Sequence, residues 1–268
     1  MRSGRDMSAI YHSVTDNSRP DPLLIKWWLE KPLDYQRRFE KAFNQGMQRI
    51  ELGLVEGESV GELVRAVRGY KSRKDGLYHS GIMDVTKREA EALVRTSVMQ
   101  VANATRMAIY EANADVMKGY QVVAVLDTRT SMLCRALDGH LYGLDRQPMD
   151  GGPPLPPGPP WHFNCRSSLC PWFKSYAELA GSEDLSRVKR DTLADIDKST
   201  RASMNGQVAA KMNYNDWLKT QGEETQLEVL GEARMWLWKK GKLSMSDMIH
   251  QNGRPLNIEE LKRKNSIR

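Results

Sequence analysis

The sequence predicts an α+β protein, predominantly α-helical, with one small β unit at its centre. Three observations carry that prediction. Apolar residues recur at three- and four-residue steps before residue 120 and again after residue 210. A single β-branched run, YQVVAVL (120–126), interrupts this pattern. Residues 148–160 then hold seven prolines and three glycines in thirteen positions, an extended loop with few donors for a β-ladder.

The chain has 268 residues, 40% hydrophobic and 28% charged, enough apolar material for a core and too much for a wholly disordered chain. No run of eighteen apolar residues exists, so no transmembrane helix is expected. The opening residues lack the apolar stretch of a secretory signal, and three cysteines make no disulfide framework, so a reducing cytoplasm is expected. A net charge of +6 permits nucleic acid as a neighbour without establishing it.

Taken in order, the polar first twenty residues read as an arm that orders against a partner. From Leu33, Phe39, Phe43, Met47, Ile50 and Leu54 lie on one face of an amphipathic helix. Ser59 and Glu62 form a capping box opening a short helix to about Gly69, which GYKSRKDG breaks. Asp84 is a plausible N-cap for the longest helix, with Ala90, Val94, Val101 and Ile109 on its apolar face and Gly119 as its stop. The 120–126 strand follows, then a hairpin about Asp138-Gly139. After Pro171 the chain reads as helical, with a polar stretch over 181–206. NYNDWLKTQ, QLEVLGEARMWLWKKGKL and NIEELKRKN are short helices, the second with Leu227, Leu230, Met235 and Leu237 on one side. Asn257 and Glu260 cap the third. The expected division is an N-terminal arm and helical region over 1–83, a core over 84–175 and a helical region over 176–268.

All three cysteines and two of the five histidines fall within residues 134–170: Cys134, His140, His162, Cys165 and Cys170. His-x-x-Cys at 162–165 is one knuckle of a zinc site, and Cys134 is the third ligand that a returning chain could deliver. Cys170, His140 and Asp127 are candidates for the fourth. Buried structural thiols, a Cys–His nucleophile pair oriented by Asp127, and a nuclease using His162 and Asn164 are the competing readings. Two runs of positive charge stand out: Lys71, Arg73 and Lys74 within RAVRGYKSRK, and Lys262, Arg263 and Lys264 near the end. Both read as solvated surface or as sequence-independent phosphate contacts.

RTSVMQVANATRMAIYEA, VAVLDTRTSMLCRALDGHLY and WHFNCRSSLCP together resemble the phage Mu F-like minor head protein family, also called phage head morphogenesis proteins. The matching positions are Arg95-Thr96, Asp127, Arg129, Thr130, Cys134, Asp138, Gly139, His162, Asn164, Cys165 and Arg166, spread over roughly 85–172. The resemblance implies a structural, non-enzymatic part of a tailed-phage virion. Such a protein is synthesised in the host cytoplasm and built into the capsid interior. Its implied partners are the portal protein, the major capsid or scaffolding protein, and packaged double-stranded DNA held non-specifically. Its implied work is head assembly, with a part in packaging or ejection of the genome. Many relatives carry further cysteines where this chain has Ser131 and Ser167, which thins the metal-binding set. Among the matched residues, Arg95, Asp127, Arg129 and Arg166 are expected to form a buried network tying the long helix to the β unit. The alternative is an injected toxin-like or metal-dependent hydrolase using the Asp127/His162/Cys165 cluster.

Overall fold

The computed structural model describes residues 33–83, 85–175, 178–179, 200–241 and 243–265. The N-terminal arm, Asp84 and most of the polar 181–206 stretch lie outside them. The chain resolves into two compact units. One comprises the described residues up to Arg106 together with Pro157–Cys165; the other comprises Met107–Pro156 and the described residues from Arg166 onward.

In the first unit, α1 (Leu33–Val55) and α2 (Val60–Arg68) pack with the start of α3 (Lys87–Ala112). The capping box opens α2 as expected: Ser59 Oγ accepts from the Glu62 N–H and the Glu62 carboxylate accepts from the Ser59 N–H. Gly69, in the left-handed region at φ 81°, ends it. The core is Ile50, Leu63, Val64, Val67, Met83, Ala90, Leu93 and Val94, with Phe163 packed against it. Residues 69–80, read in the sequence only as a helix break, form an antiparallel ribbon of β1 (Gly69–Lys71) and β2 (Tyr78–Ser80). The cap of α3 is Thr86 rather than Asp84, since Thr86 Oγ1 accepts from the Glu89 N–H and the Glu89 carboxylate accepts from the Thr86 N–H. Val101 and Ile109, expected in the core, are exposed, and the buried stripe runs through Ala90, Leu93, Val94 and Ser97.

In the second unit, β3 (Met117–Val123) is the central strand of a three-stranded antiparallel sheet in the order β4-β3-β5, with β4 spanning Leu141–Gly143 and β5 Ser168–Phe173. The strand begins three residues earlier than its β-branched run suggests, because pairing with β5 starts at Met117. Gly119 therefore does not terminate the long helix. It sits inside β3, where a Cβ would collide with the Tyr142 carbonyl of β4. β5 is an edge strand, which lets it contain Pro171. The expected hairpin about Gly139 is replaced by a helix-to-strand turn. Ser131 Oγ accepts from the Cys134 N–H and caps a short helix, α4 (Met132–Leu137), before β4.

A second hairpin, β6 (Thr200–Ser203) and β7 (Gly206–Ala209), turns at Met204-Asn205, with Ser203 and Gly206 paired across it. It leads to α5 (Tyr214–Lys219), capped by Asn213, then α6 (Glu223–Gly241) and α7 (Ile258–Lys264). Trp217, Tyr214, Leu218, Leu126, Leu237, Met245 and Met248 make the core, the large members each contributing about 1.5–3 kcal/mol by burial. At Gly231, φ 70° breaks α6; Leu227 is exposed, while Leu230, Leu237 and Trp238 are buried. The Arg135 guanidinium donates to the Val229 carbonyl beside this break and to the Thr128 carbonyl, with its carbon 5.3 Å from the centre of the Tyr214 ring. No helix among the described residues is long and apolar enough to cross a membrane.

Candidate metal centre

Cys134, His162 and Cys165 offer ligand atoms that all lie within 4.8 Å of one another. Cys134 is on α4, whose start is set by the Ser131 cap. His162 and Cys165 share one turn, closed by the Cys165 N–H donating to the His162 carbonyl at 3.1 Å. Asn164 takes a left-handed φ of 56° to make that turn. Its N–H donates at 2.9 Å to Thr96 Oγ1, a fully buried hydroxyl on α3 that itself donates to the Ala92 carbonyl.

The chemistry of the three donors fits a soft divalent metal. Both thiols are 1% exposed. The Phe163 carbonyl, 2.9 Å from His162 Nδ1, can only accept, so Nδ1 carries the proton and Nε2 presents its lone pair. Two thiolates and one imidazole are the donor set of zinc.

None of the expected fourth ligands joins this group among the described residues. His140 has both ring nitrogens engaged, Nδ1 at 3.0 Å from Asp150 Oδ2 and Nε2 at 2.7 Å from Ser246 Oγ. Asp150 is held in turn by the N–H groups of Leu141 and Gly152. Cys170 lies on β5, in register with Gln121. Asp127 takes the Arg166 guanidinium in bidentate fashion at 2.6 and 2.7 Å, with Thr130 Oγ1 donating at 3.0 Å. The Asp127/His162/Cys165 cluster expected for a hydrolase is therefore replaced by Cys134/His162/Cys165.

The expected arginine network is smaller than the sequence suggested. Asp127 and Arg166 form it. Arg129 contributes its backbone N–H and a long 3.5 Å contact from a side chain that is 81% exposed. Arg95 is exposed and makes none of these bonds, because Leu93 and Val94 occupy the buried side of α3 and turn residue 95 outward. Of the Arg95-Thr96 pair, Thr96 is the residue that contacts the ligand turn.

Burial works to raise the Asp127 pKa, but Arg166, Thr130 and Arg129 outweigh it and hold the carboxyl below its usual range. A depressed folded-state pKa adds stability above the unfolded value, roughly 3.9, and that stability is lost as pH falls through the folded value. Replacing Arg166 by Met is expected to cost about 1–2 kcal/mol at pH 7, at the modest end because Arg166 is partly exposed. In urea titrations the gap between wild type and R166M narrows as pH drops below 4. A gap that widened in acid would contradict the assignment.

A second buried carboxylate went unassigned in the sequence. Asp138 accepts from the N–H groups of Ala124 and Tyr214 at 2.7 Å each and from Arg201 at 2.9 and 3.1 Å. Arg201 also donates to the carbonyls of Met212 and Ala124. One side chain thus joins the end of β3, the turn before β4, the β6–β7 hairpin and the start of α5. Burial pushes its pKa up, while Arg201 and the two N–H groups oppose that.

The expected phosphate contacts differ in availability. Lys71, Arg73 and Lys74 are exposed on the ribbon. In α7, Lys262 pairs with Glu259 at 3.6 Å, Lys264 donates to the carbonyls of Asp247 and Ile249, and both Arg263 and Lys264 are exposed.

A family model described as Phage Mu protein F like protein matches residues 45–170, which include Cys134, His162 and Cys165. No curated protein and no solved structure matches the chain.

Proposed function

Residues 45–170 belong to the Phage Mu protein F-like family, and from this we propose that the chain is a structural minor head protein of a tailed phage. The family match over the ligand-bearing segment is the observation that carries this reading. The proposed place is the capsid interior, docked at the portal and touching the major capsid or scaffolding protein. The proposed work is head assembly, with a part in packaging or release of the genome.

Cys134, His162 and Cys165 would hold the metal, and Thr96 positions the ligand turn by receiving the Asn164 N–H. When bound, a zinc ion there supplies a cross-link between α4 and the chain entering β5, in place of the disulfides a cytoplasmic protein lacks. Asp127 and Arg166 have a complementary structural part, joining the segment after β3 to the chain entering β5. The exposed cations sit well for sequence-independent contact with packaged DNA.

Procapsids assembled with and without portal test the docking. The chain is expected to co-sediment with portal-bearing particles and to be depleted from portal-less ones. Equal incorporation into both would remove the portal from its partners.

A further inference from the structure

The β1–β2 ribbon belongs to neither hydrophobic core, and its charge is almost entirely of one sign. Between residues 65 and 80 stand five cations, Arg65, Arg68, Lys71, Arg73 and Lys74, against one carboxylate, Asp75. Among them are exposed apolar groups: Tyr70 is 40% exposed, Leu77 64% and Tyr78 64%. Tyr70 and His79 are cross-strand partners, and their rings stack with centroids 5.0 Å apart and planes 15° apart. On the opposite face Lys71 is paired with Tyr78.

The tip is held in one shape by its own side chains. Ser72 Oγ accepts from the N–H groups of Lys74 and Asp75, and Asp75 Oδ1 accepts from the Leu77 N–H. The remaining carboxylate oxygen faces His79 at 3.4 Å. Arg73 and Lys74 are therefore presented outward on a built turn.

Arginine and tyrosine also occur at protein–protein interfaces, but five cations against one carboxylate, alternating with exposed rings, suit a polyanion whose units carry flat π-faces. We propose that this ribbon binds single-stranded nucleic acid, with Arg73, Lys74 and Lys71 on successive phosphates and the Tyr70/His79 stack and Tyr78 receiving unpaired bases. This goes beyond the non-specific contact with packaged double-stranded DNA proposed above, because the strand state it names is different. It does not depend on residence in a head: failure in the particle experiment leaves a measured oligonucleotide affinity intact, and the reverse also holds.

The test uses the full chain, with fluorescence anisotropy on a fluorescein-labelled oligothymidylate of about 20 nucleotides and a duplex of equal length, across about 50–200 mM salt. The single strand is expected to bind more tightly than the duplex. Tyr70→Ala is expected to weaken single-strand binding about 5- to 100-fold without changing the salt slope, and Tyr70→Phe to restore it. The double variant R73A/K74A is expected to flatten the log–log salt slope by about 1.4, the share of two phosphates. Unchanged melting curves keep these readings independent of folding. Variants that bind like wild type would overturn the proposal. So would a duplex preference indifferent to Tyr70, or adsorption to anionic phospholipid vesicles through Leu77 and Tyr78 with no oligonucleotide binding.

Discussion

Asp138→Ala is expected to cost about 3–5 kcal/mol, a large part of the 5–15 kcal/mol that holds an ordinary domain folded. The side chain is fully buried and receives four donors from three other segments. Removing it leaves the Arg201 guanidinium, itself only 10% exposed, without its counter-charge, and orphans the N–H groups of Ala124 and Tyr214. Urea denaturation followed by tryptophan fluorescence reads the loss, because Trp217 and Trp238 lie in the core that α5 and α6 complete. Arg201→Met is expected to be costly alone and nearly free of further cost in the Asp138→Ala background, since both changes break the same network. Additive losses would mean that the two residues act separately.

Loss of a metal ligand is the second large effect. Wild-type protein is expected to carry one zinc ion per chain. Cys134→Ser, Cys165→Ser and His162→Ala are each expected to lose it and to melt about 10 °C lower, as befits a structural site whose binding energy is folding energy. A chelator should lower the wild-type melting temperature toward that of the variants and leave theirs unmoved. Cys170→Ser and His140→Ala should retain the ion, since neither residue joins the ligand group. Should Cys170→Ser lose the ion as fully as Cys165→Ser, the ligand set would be wrong. Folded variants that lost a catalytic activity would shift the cluster from structure to chemistry.

The readable and unreadable parts of the sequence divide along physical lines. Local signals read true: the Ser59–Glu62 and Asn257–Glu260 boxes are hydrogen bonds over three residues, and their partners are adjacent in sequence. Cys134, His162 and Cys165 were legible as one group because the soft donors of the chain are crowded into one stretch. Signals decided by packing read poorly. The start of β3 depends on its pairing with β5, and the outward turn of Arg95 depends on which side of α3 is buried.

Other misses had a signal that went unweighted. Met204-Asn205 makes the two-residue β6–β7 turn and Gly206 follows it at φ 113°, so the Asn-Gly pair marked a turn inside a stretch otherwise read as polar linker. Ser131 is a helix cap, which makes α4 out of residues whose apolar pattern suits a strand equally well. The role of Asp138 had no local signal at all, because Arg201 and Tyr214 are 63 and 76 residues away.

Particle composition tests the head assignment most directly. Quantitative mass spectrometry of gradient-purified procapsids, full heads and emptied heads is expected to find the chain at a few copies per particle in the first two. Its level in emptied heads then reports whether it leaves with the DNA. Absence from all three, with the chain recovered only as free protein in the lysate, would contradict its assignment as a minor head protein.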